Sequence, residues 1–129
     1  PSAGPVVVTV DAGVKSAGET GAGMFQEGGR AYLIGESPTA GMSAQKTTIE
    51  LPSRLFGLYV ATASNKGRFN QGRGIEGIGI VPHEIVAYDP RALGEGVDTL
   101  VRRAEELLAK FPRKEVPYDP EAHGWNPKR

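Results

Sequence analysis

Pro5-Val6-Val7-Val8-Thr9-Val10-Asp11-Ala12-Gly13-Val14-Lys15-Ser16-Ala17-Gly18-Glu19 packs an apolar run, a short turn and the opening of a helix into one continuous stretch. An apolar run without alternation predicts a fully buried strand over Val6–Val10. The Asp11-Ala12-Gly13 turn then places Ser16 at a helix N-terminus, where unpaired backbone N–H groups carry partial positive charge. Two readings of Ser16 follow. Ser16-x-x-Glu19 has the form of a capping box, in which the serine binds the amide three residues on and the glutamate reaches back. The same serine can instead be a nucleophile whose developing oxyanion is stabilised by those amides. The local pattern alone favours the cap.

The rest of the chain reads as short elements separated by turns. A helix is expected over residues 16–26, ended by Gly28-Gly29, although Gly18, Gly21 and Gly23 each cost it about 1 kcal/mol relative to Ala. That load predicts a buried helix in which packing demands close approach, with Met24 and Phe25 in the core. Ala31–Gly35 predicts a second buried strand, followed by the glycine loop Gly35–Met42. Thr47–Leu51 and Leu55–Ala63 predict a hairpin turned at Pro52-Ser53-Arg54, with Leu58, Val60 and Thr62 alternating as a half-buried strand. Residues 65–74 read as a polar, mobile loop in which Arg68, Phe69 and Asn70 are exposed. Ile75–Pro82 reads as an extended segment. Val97, Leu100, Val101, Ala104, Leu107, Leu108 and Phe111 mark one face of an amphipathic helix over residues 97–111.

Composition narrows the function classes. The 129 residues suit one domain or a piece of one. Fifteen basic residues balance fifteen acidic ones, so no electrostatic case exists for nucleic acid or an anionic membrane surface. Cysteine is absent, which removes disulfides, thiolate chemistry and Cys-based metal sites. No apolar run approaches the roughly 18 residues of a membrane span. His83 and His123 show no metal-ligand spacing. The glycine loop lacks the Gly-Lys-Ser/Thr ending of a phosphate cradle. No metal or cofactor is therefore expected. The chain begins at Pro1 and enters a core-like strand by residue 5, so an upstream companion segment is expected.

Four motifs in order carry a family resemblance: Ser16-Ala17-Gly18-Glu19; Gly29-Arg30-Ala31-Tyr32-Leu33-Ile34-Gly35-Glu36; Pro38-Thr39-Ala40-Gly41; and Gly72-Arg73-Gly74-Ile75-Glu76-Gly77-Ile78-Gly79-Ile80-Val81-Pro82. Together they resemble the C-terminal half of the catalytic core of C-terminal processing (tail-specific) serine peptidases, with their tricorn-like and retinoid-binding-protein-like branches. The resemblance implies an α/β, crotonase-like (ClpP-like) core of strand–strand–helix units. Residues 1–111 would form the half-domain and 112–129 a proline-rich polar tail. It implies amide hydrolysis through an acyl-enzyme on Ser16, with the amide of Ala17 in the oxyanion hole and Gly41 and Met42 in the active-site wall. It further implies a protein or peptide substrate, the N-terminal half or a companion chain as partner, an oligomer, and a periplasmic, secreted or cell-envelope setting.

One position departs from the family's pattern. Met42 stands where the processing branch has the lysine that serves as general base, and a thioether takes no proton at neutral pH. Lys46 and Lys15 are the nearest lysines; one opens the next strand, and the other should point away. In the tricorn-like account, a histidine from the upstream segment activates Ser16 and Glu76 orients that histidine. Glu76 also reads as a solvated turn carboxylate. In the second account the chain is a silent homologue that binds peptide in the same groove. A crotonase relative handling acyl-CoA is a fold-level analogy only. His83 is expected to be structural and His123 solvent-facing.

Overall fold

The computed structural model describes residues 4–110 and shows a mixed α/β arrangement. Strand β1 (Val7–Val10) leads through the Asp11 turn into helix α1 (Ala17–Glu27), and β2 (Tyr32–Gly35) follows. The hairpin β3 (Gln45–Glu50) and β4 (Gly57–Ala63) comes next, then β5 (Glu84–Ile85), α2 (Pro90–Gly94) and α3 (Thr99–Lys110). β2 is the centre of a three-stranded parallel sheet ordered β1-β2-β5. Parallel neighbours need crossover connections. Helix α1 is the crossover from β1 to β2, and the hairpin and the loops up to Pro82 lie between β2 and β5.

The core gathers around β2. Leu33, Ile34, Ile75 and Ile80 are fully enclosed, with Val10, Ala22, Ala31 and Phe69 beside them. β1 is less buried than its composition predicts: only Val10 is inside, and Thr9 is exposed, because β1 is an edge of this sheet among the described residues. Helix α1 buries one stripe, Glu19, Ala22 and Gly23, and Met24 and Phe25 face outward, contrary to their expected place in the core. Only one of its glycines is required for packing against the core. A Cβ at Gly23 would stand 2.8 Å from the Phe69 ring and 2.9 Å from Ile80, whereas one at Gly21 would meet nothing within 4 Å.

Three other expectations are corrected. The hairpin forms in antiparallel register, yet β4 is exposed on both faces, with only Val60 half-buried; the alternation of its sequence is not matched by a packed face. The loop over residues 65–74 is pinned. Phe69 is 2% exposed and its N–H donates to Glu27 at 2.6 Å, while the Asn70 amide donates to the carbonyls of Gly74 and Gly79. Phe69 is therefore core and not a surface contact. Residues 75–82 form turns instead of a strand, with Gly77 and Gly79 at positive φ. Pro82 is followed by the short β5. On α3, Leu107 is buried and Leu100 and Ala104 are half-buried, as is Val97 just before the helix, but Val101 and Leu108 are exposed. Phe111, His123 and the 112–129 tail lie outside the described residues.

His83 is structural, as expected. Its N–H donates to the Leu33 carbonyl and its Nδ1 accepts the Leu33 N–H, both at 2.9 Å, while its ring stacks on Tyr32 at 4.8 Å. The imidazole thus acts as a rung of the ladder where β5 joins β2. Arg103 fastens α3 to β5 through a two-pronged pair with Glu84 (2.7 and 3.1 Å) and also donates to Glu106. The Arg103 hydrogen bonds hold the Glu84 carboxyl below its ordinary 4.5.

Two outcomes follow. Gly23→Ala should destabilise the protein, since about 1–3 kcal/mol of overpacking outweighs a helix-propensity gain of at most about 1 kcal/mol, whereas Gly21→Ala should stabilise it by about 0.5–1 kcal/mol. Urea titration of the two variants reads these opposite signs. Because Glu84 has a lowered pKa in the folded state, its pairing stabilises the fold above the unfolded carboxyl's pKa. That contribution is lost as pH falls through the folded value. Arg103→Ala should flatten this acid-side loss in thermal melts taken between neutral pH and below pH 4.5.

Candidate active site

Ser16 ends the turn after β1 and is the N-cap of α1, at φ 52° and ψ −121°. An ordinary N-cap sits in the extended region. A serine at positive φ carries about 1–3 kcal/mol of backbone strain, which persists only where its surroundings fix it. The surroundings here are specific. The Glu19 half of the Ser16–Glu19 capping box is made, its carboxylate accepting the Ser16 N–H, and this glutamate does more than cap. Glu19 is fully buried, and its carboxylate accepts four hydrogen bonds. Oε2 takes the N–H groups of Ser16 (3.1 Å) and Met42 (2.9 Å); Oε1 takes the N–H of Gly41 (2.6 Å) and the hydroxyl of Thr39 (2.7 Å).

Glu19 therefore joins the helix start to the glycine loop. The Ser16 N–H also points at the Met42 carbonyl (3.3 Å), and the Ala40 N–H at the Val14 carbonyl (3.0 Å). Thr39 continues inward: its hydroxyl accepts the Ile80 N–H at 2.7 Å and its own N–H donates to the Ile80 carbonyl. The loop is close-packed, so glycine is needed at two contacts. Gly41 is at φ 71° with the backbone of Gly77 and Ile78 about 3.0 Å from where a Cβ would stand. At Gly79, φ 78°, a Cβ would collide with the Thr39 carbonyl. These glycines serve backbone stacking and explain the loop without a phosphate.

The site residues expected from the sequence lie on the outer surface of this assembly. Ser16, Ala17, Met42 and Glu76 are all exposed around it. Ala17 is the first helical residue, so its N–H has no acceptor within the helix. Glu76 does not behave as a free turn carboxylate: its Oε2 accepts the Ala44 N–H at 2.7 Å. Ser16 and Glu76 thus bracket one short segment, the first at Met42 and the second at Ala44. Met42 lies beside the serine through its backbone, and the residue is 46% exposed. The Lys46 ammonium donates to the Ala44 carbonyl at 3.1 Å. Lys15 is exposed. Among the described residues, no group of three or more His, Asp or Glu side chains is arranged to hold a metal ion.

Sequence reasoning missed four residues that build this surface. In the sequence, Thr39 stands out only as part of a loop motif. Thr20 stands one helical turn after Ser16, a spacing that could have flagged it. Ser43 and Asn65 are brought together only by the fold: the Asn65 Nδ2 donates to Ser43 Oγ at 2.9 Å.

Replacing Glu19 with glutamine should test the clamp. Either amide orientation would set an NH₂ against two of the four donors, leaving buried N–H or O–H groups unpaired at about 1–3 kcal/mol each. Glu19→Gln is expected to lower stability by about 2–4 kcal/mol in chemical denaturation. A loss below about 1 kcal/mol would mean the four bonds are dispensable.

The chain is similar to known proteins over most of its length. The model of peptidase family S41 matches residues 1–86. The carboxyl-terminal-processing protease of Picosynechococcus sp. (strain ATCC 27264 / PCC 7002 / PR-6) is 33% identical over 109 residues, 82% of this chain and 25% of that protein. The chain thus spans about a quarter of the length of this curated relative. Among solved structures, the photosystem II D1 C-terminal processing protease superposes with a TM-score of 0.51 at 28% identity, over 86% of this chain and 26% of the other. Mature CPAF in complex with lactacystin gives a TM-score of 0.61 over 82% of this chain and 19% of its own. Its 18% identity makes it evidence for the fold alone.

Proposed function

The chain belongs to peptidase family S41, and on that premise we propose that it is the C-terminal half of a crotonase-like serine peptidase domain that cleaves protein or peptide amide bonds through Ser16. The observation that carries this reading is the backbone of Ser16 at φ 52°, held at a helix N-terminus by the buried Glu19. A plain cap needs no such conformation, whereas a serine on a sharp strand-to-helix turn presents its hydroxyl outward.

In this mechanism the Ser16 Oγ attacks the scissile carbonyl and its proton passes to a general base. The Ala17 N–H, at the positive end of α1, is one donor to the oxyanion, joined by a second amide from elsewhere in the protein. The tetrahedral intermediate collapses to an acyl-serine and releases the amine, which takes the proton from the base. Water then hydrolyses the ester by the reverse proton path. Met42 cannot serve as the base. We assign that role to a histidine supplied by the N-terminal half or a companion chain, oriented by Glu76. The Ala44 N–H occupies Glu76 Oε2, and Oε1 has no partner among the described residues. Gly41 and Met42 form the wall beside the serine. The relatives' names point to substrates cut near their carboxyl termini, and an oligomer at the cell envelope or outside it fits the same reading.

Met42 supports a second reading, a silent homologue that binds peptide in the same groove. The test is a fluorogenic peptide carrying a free carboxyl terminus, presented to the full-length protein. Turnover that disappears in Ser16→Ala and falls roughly 10²-fold or more in Glu76→Gln is expected for the peptidase. Saturable binding without cleavage would overturn it in favour of the silent homologue.

A further inference from the structure

We infer that Asn65 is a positioning residue that holds Glu76 and the Ser16 peptide in mutual register through a directed hydrogen-bond chain. The inference rests on the catalytic reading above. Asn65 uses both ends of its amide: Oδ1 accepts the Ile75 N–H at 2.8 Å, and Nδ2 donates to Ser43 Oγ at 2.9 Å. Ser43 Oγ lies 3.1 Å from Thr20 Oγ1, which in turn reaches the Ser16 carbonyl at 3.4 Å. Proton counting fixes the direction. Each hydroxyl has a single hydrogen. Thr20 gives its hydrogen to the Ser16 carbonyl, so Ser43 must donate to Thr20, and Ser43 is left to accept from Asn65. Every donor from Asn65 onward points toward Ser16, and such chains strengthen each bond through mutual polarisation.

The chain begins beside Glu76, because Ile75 is its covalent neighbour. It also closes on itself. Glu76 accepts the Ala44 N–H, and Ala44 follows Ser43, whose hydroxyl Asn65 holds. Glu76, Ala44, Ser43, Asn65 and Ile75 thus form a ring linked by three hydrogen bonds. The ring sets where the Glu76 carboxylate stands. At its other end, the chain grips the carbonyl of the Ser16–Ala17 peptide. That peptide is planar, so its N–H, the proposed oxyanion donor, is oriented by the same contact. Asn65 is half-buried and touches neither a substrate nor the reacting atoms in this account.

Hydrogen exchange at the Ala44 amide and steady-state peptide hydrolysis test this in the full-length protein. Asn65→Leu removes both contacts; Ser43→Ala breaks the chain while leaving Ile75 bonded to Asn65, which guards against a variant that merely misfolds. Both are expected to speed Ala44 exchange at least 10-fold and to lower kcat about 10- to 100-fold with KM within about twofold. Combining either with Glu76→Gln should cost less than the product of the two separate losses, because part of the effect acts through that carboxylate. Ala44 exchange as slow as wild type in both variants, or kcat losses that multiply with that of Glu76→Gln, would overturn the inference. If wild-type protein shows no turnover, the peptidase reading fails, and the Ala44 exchange result still decides whether Asn65 holds Glu76.

Discussion

One buried carboxylate organises the described residues. Glu19 lies on the inward stripe of α1 with no solvent exposure, and four donors converge on it from the helix start and from the glycine loop. Burying a carboxylate is unfavourable unless hydrogen bonds replace the water it loses. Here the replacement comes from groups that would otherwise be unpaired, the N–H of Ser16 at the helix entrance and the N–H groups of a tight loop. Four obligations are met at one point, so the helix, the loop and the 75–80 turns have little freedom to move separately. Thr39 extends the constraint by giving its proton to Glu19 and accepting one from Ile80.

That constraint produces the exposed surface above it. The strained backbone of Ser16 is affordable because both the Glu19 carboxylate and the Met42 carbonyl receive its N–H. The same clamp brings position 42 beside the serine, so the identity of residue 42 bears directly on the chemistry. In the proposed mechanism, with methionine there, the proton is taken from elsewhere, and the carboxylate of Glu76 stands on the far side of the same short segment. Cap and proposed nucleophile are therefore compatible in a single arrangement: the capping glutamate holds the serine in a conformation a simple cap would not adopt.

Much of the skeleton was legible in the sequence. The β1–turn–α1 unit, β2, the hairpin and α3 are all where the apolar runs, turn residues and helical spacing put them, because those signals are local. What failed was burial. Val6–Val10 promised an enclosed strand and the β4 alternation a half-buried one, but β1 is an edge among the described residues and β4 is exposed along nearly its whole length. Hydrophobicity puts Met24 and Phe25 inside, while the side of α1 facing Phe69 and Ile80 admits only the small Gly23. The polar run 65–74 looked mobile because the bonds that pin it, from Glu27, Ser43 and Gly79, come from distant parts of the chain. At the site, the Ser16–Glu19 spacing was readable, yet the partners of Glu19 beyond Ser16 lie about twenty residues away and left no periodic trace.

The most direct test of the account is the attachment site of a fluorophosphonate probe on the full-length protein, read by mass spectrometry after trypsin digestion. Cleavage after Lys15 and Arg30 releases residues 16–30 as one peptide with Ser16 at its start. The account predicts an adduct on Ser16 that forms with native protein and is lost on denaturation before labelling. A folded protein that carries no adduct, or carries it on another serine, would contradict the claim that Glu19 holds Ser16 as an activated nucleophile.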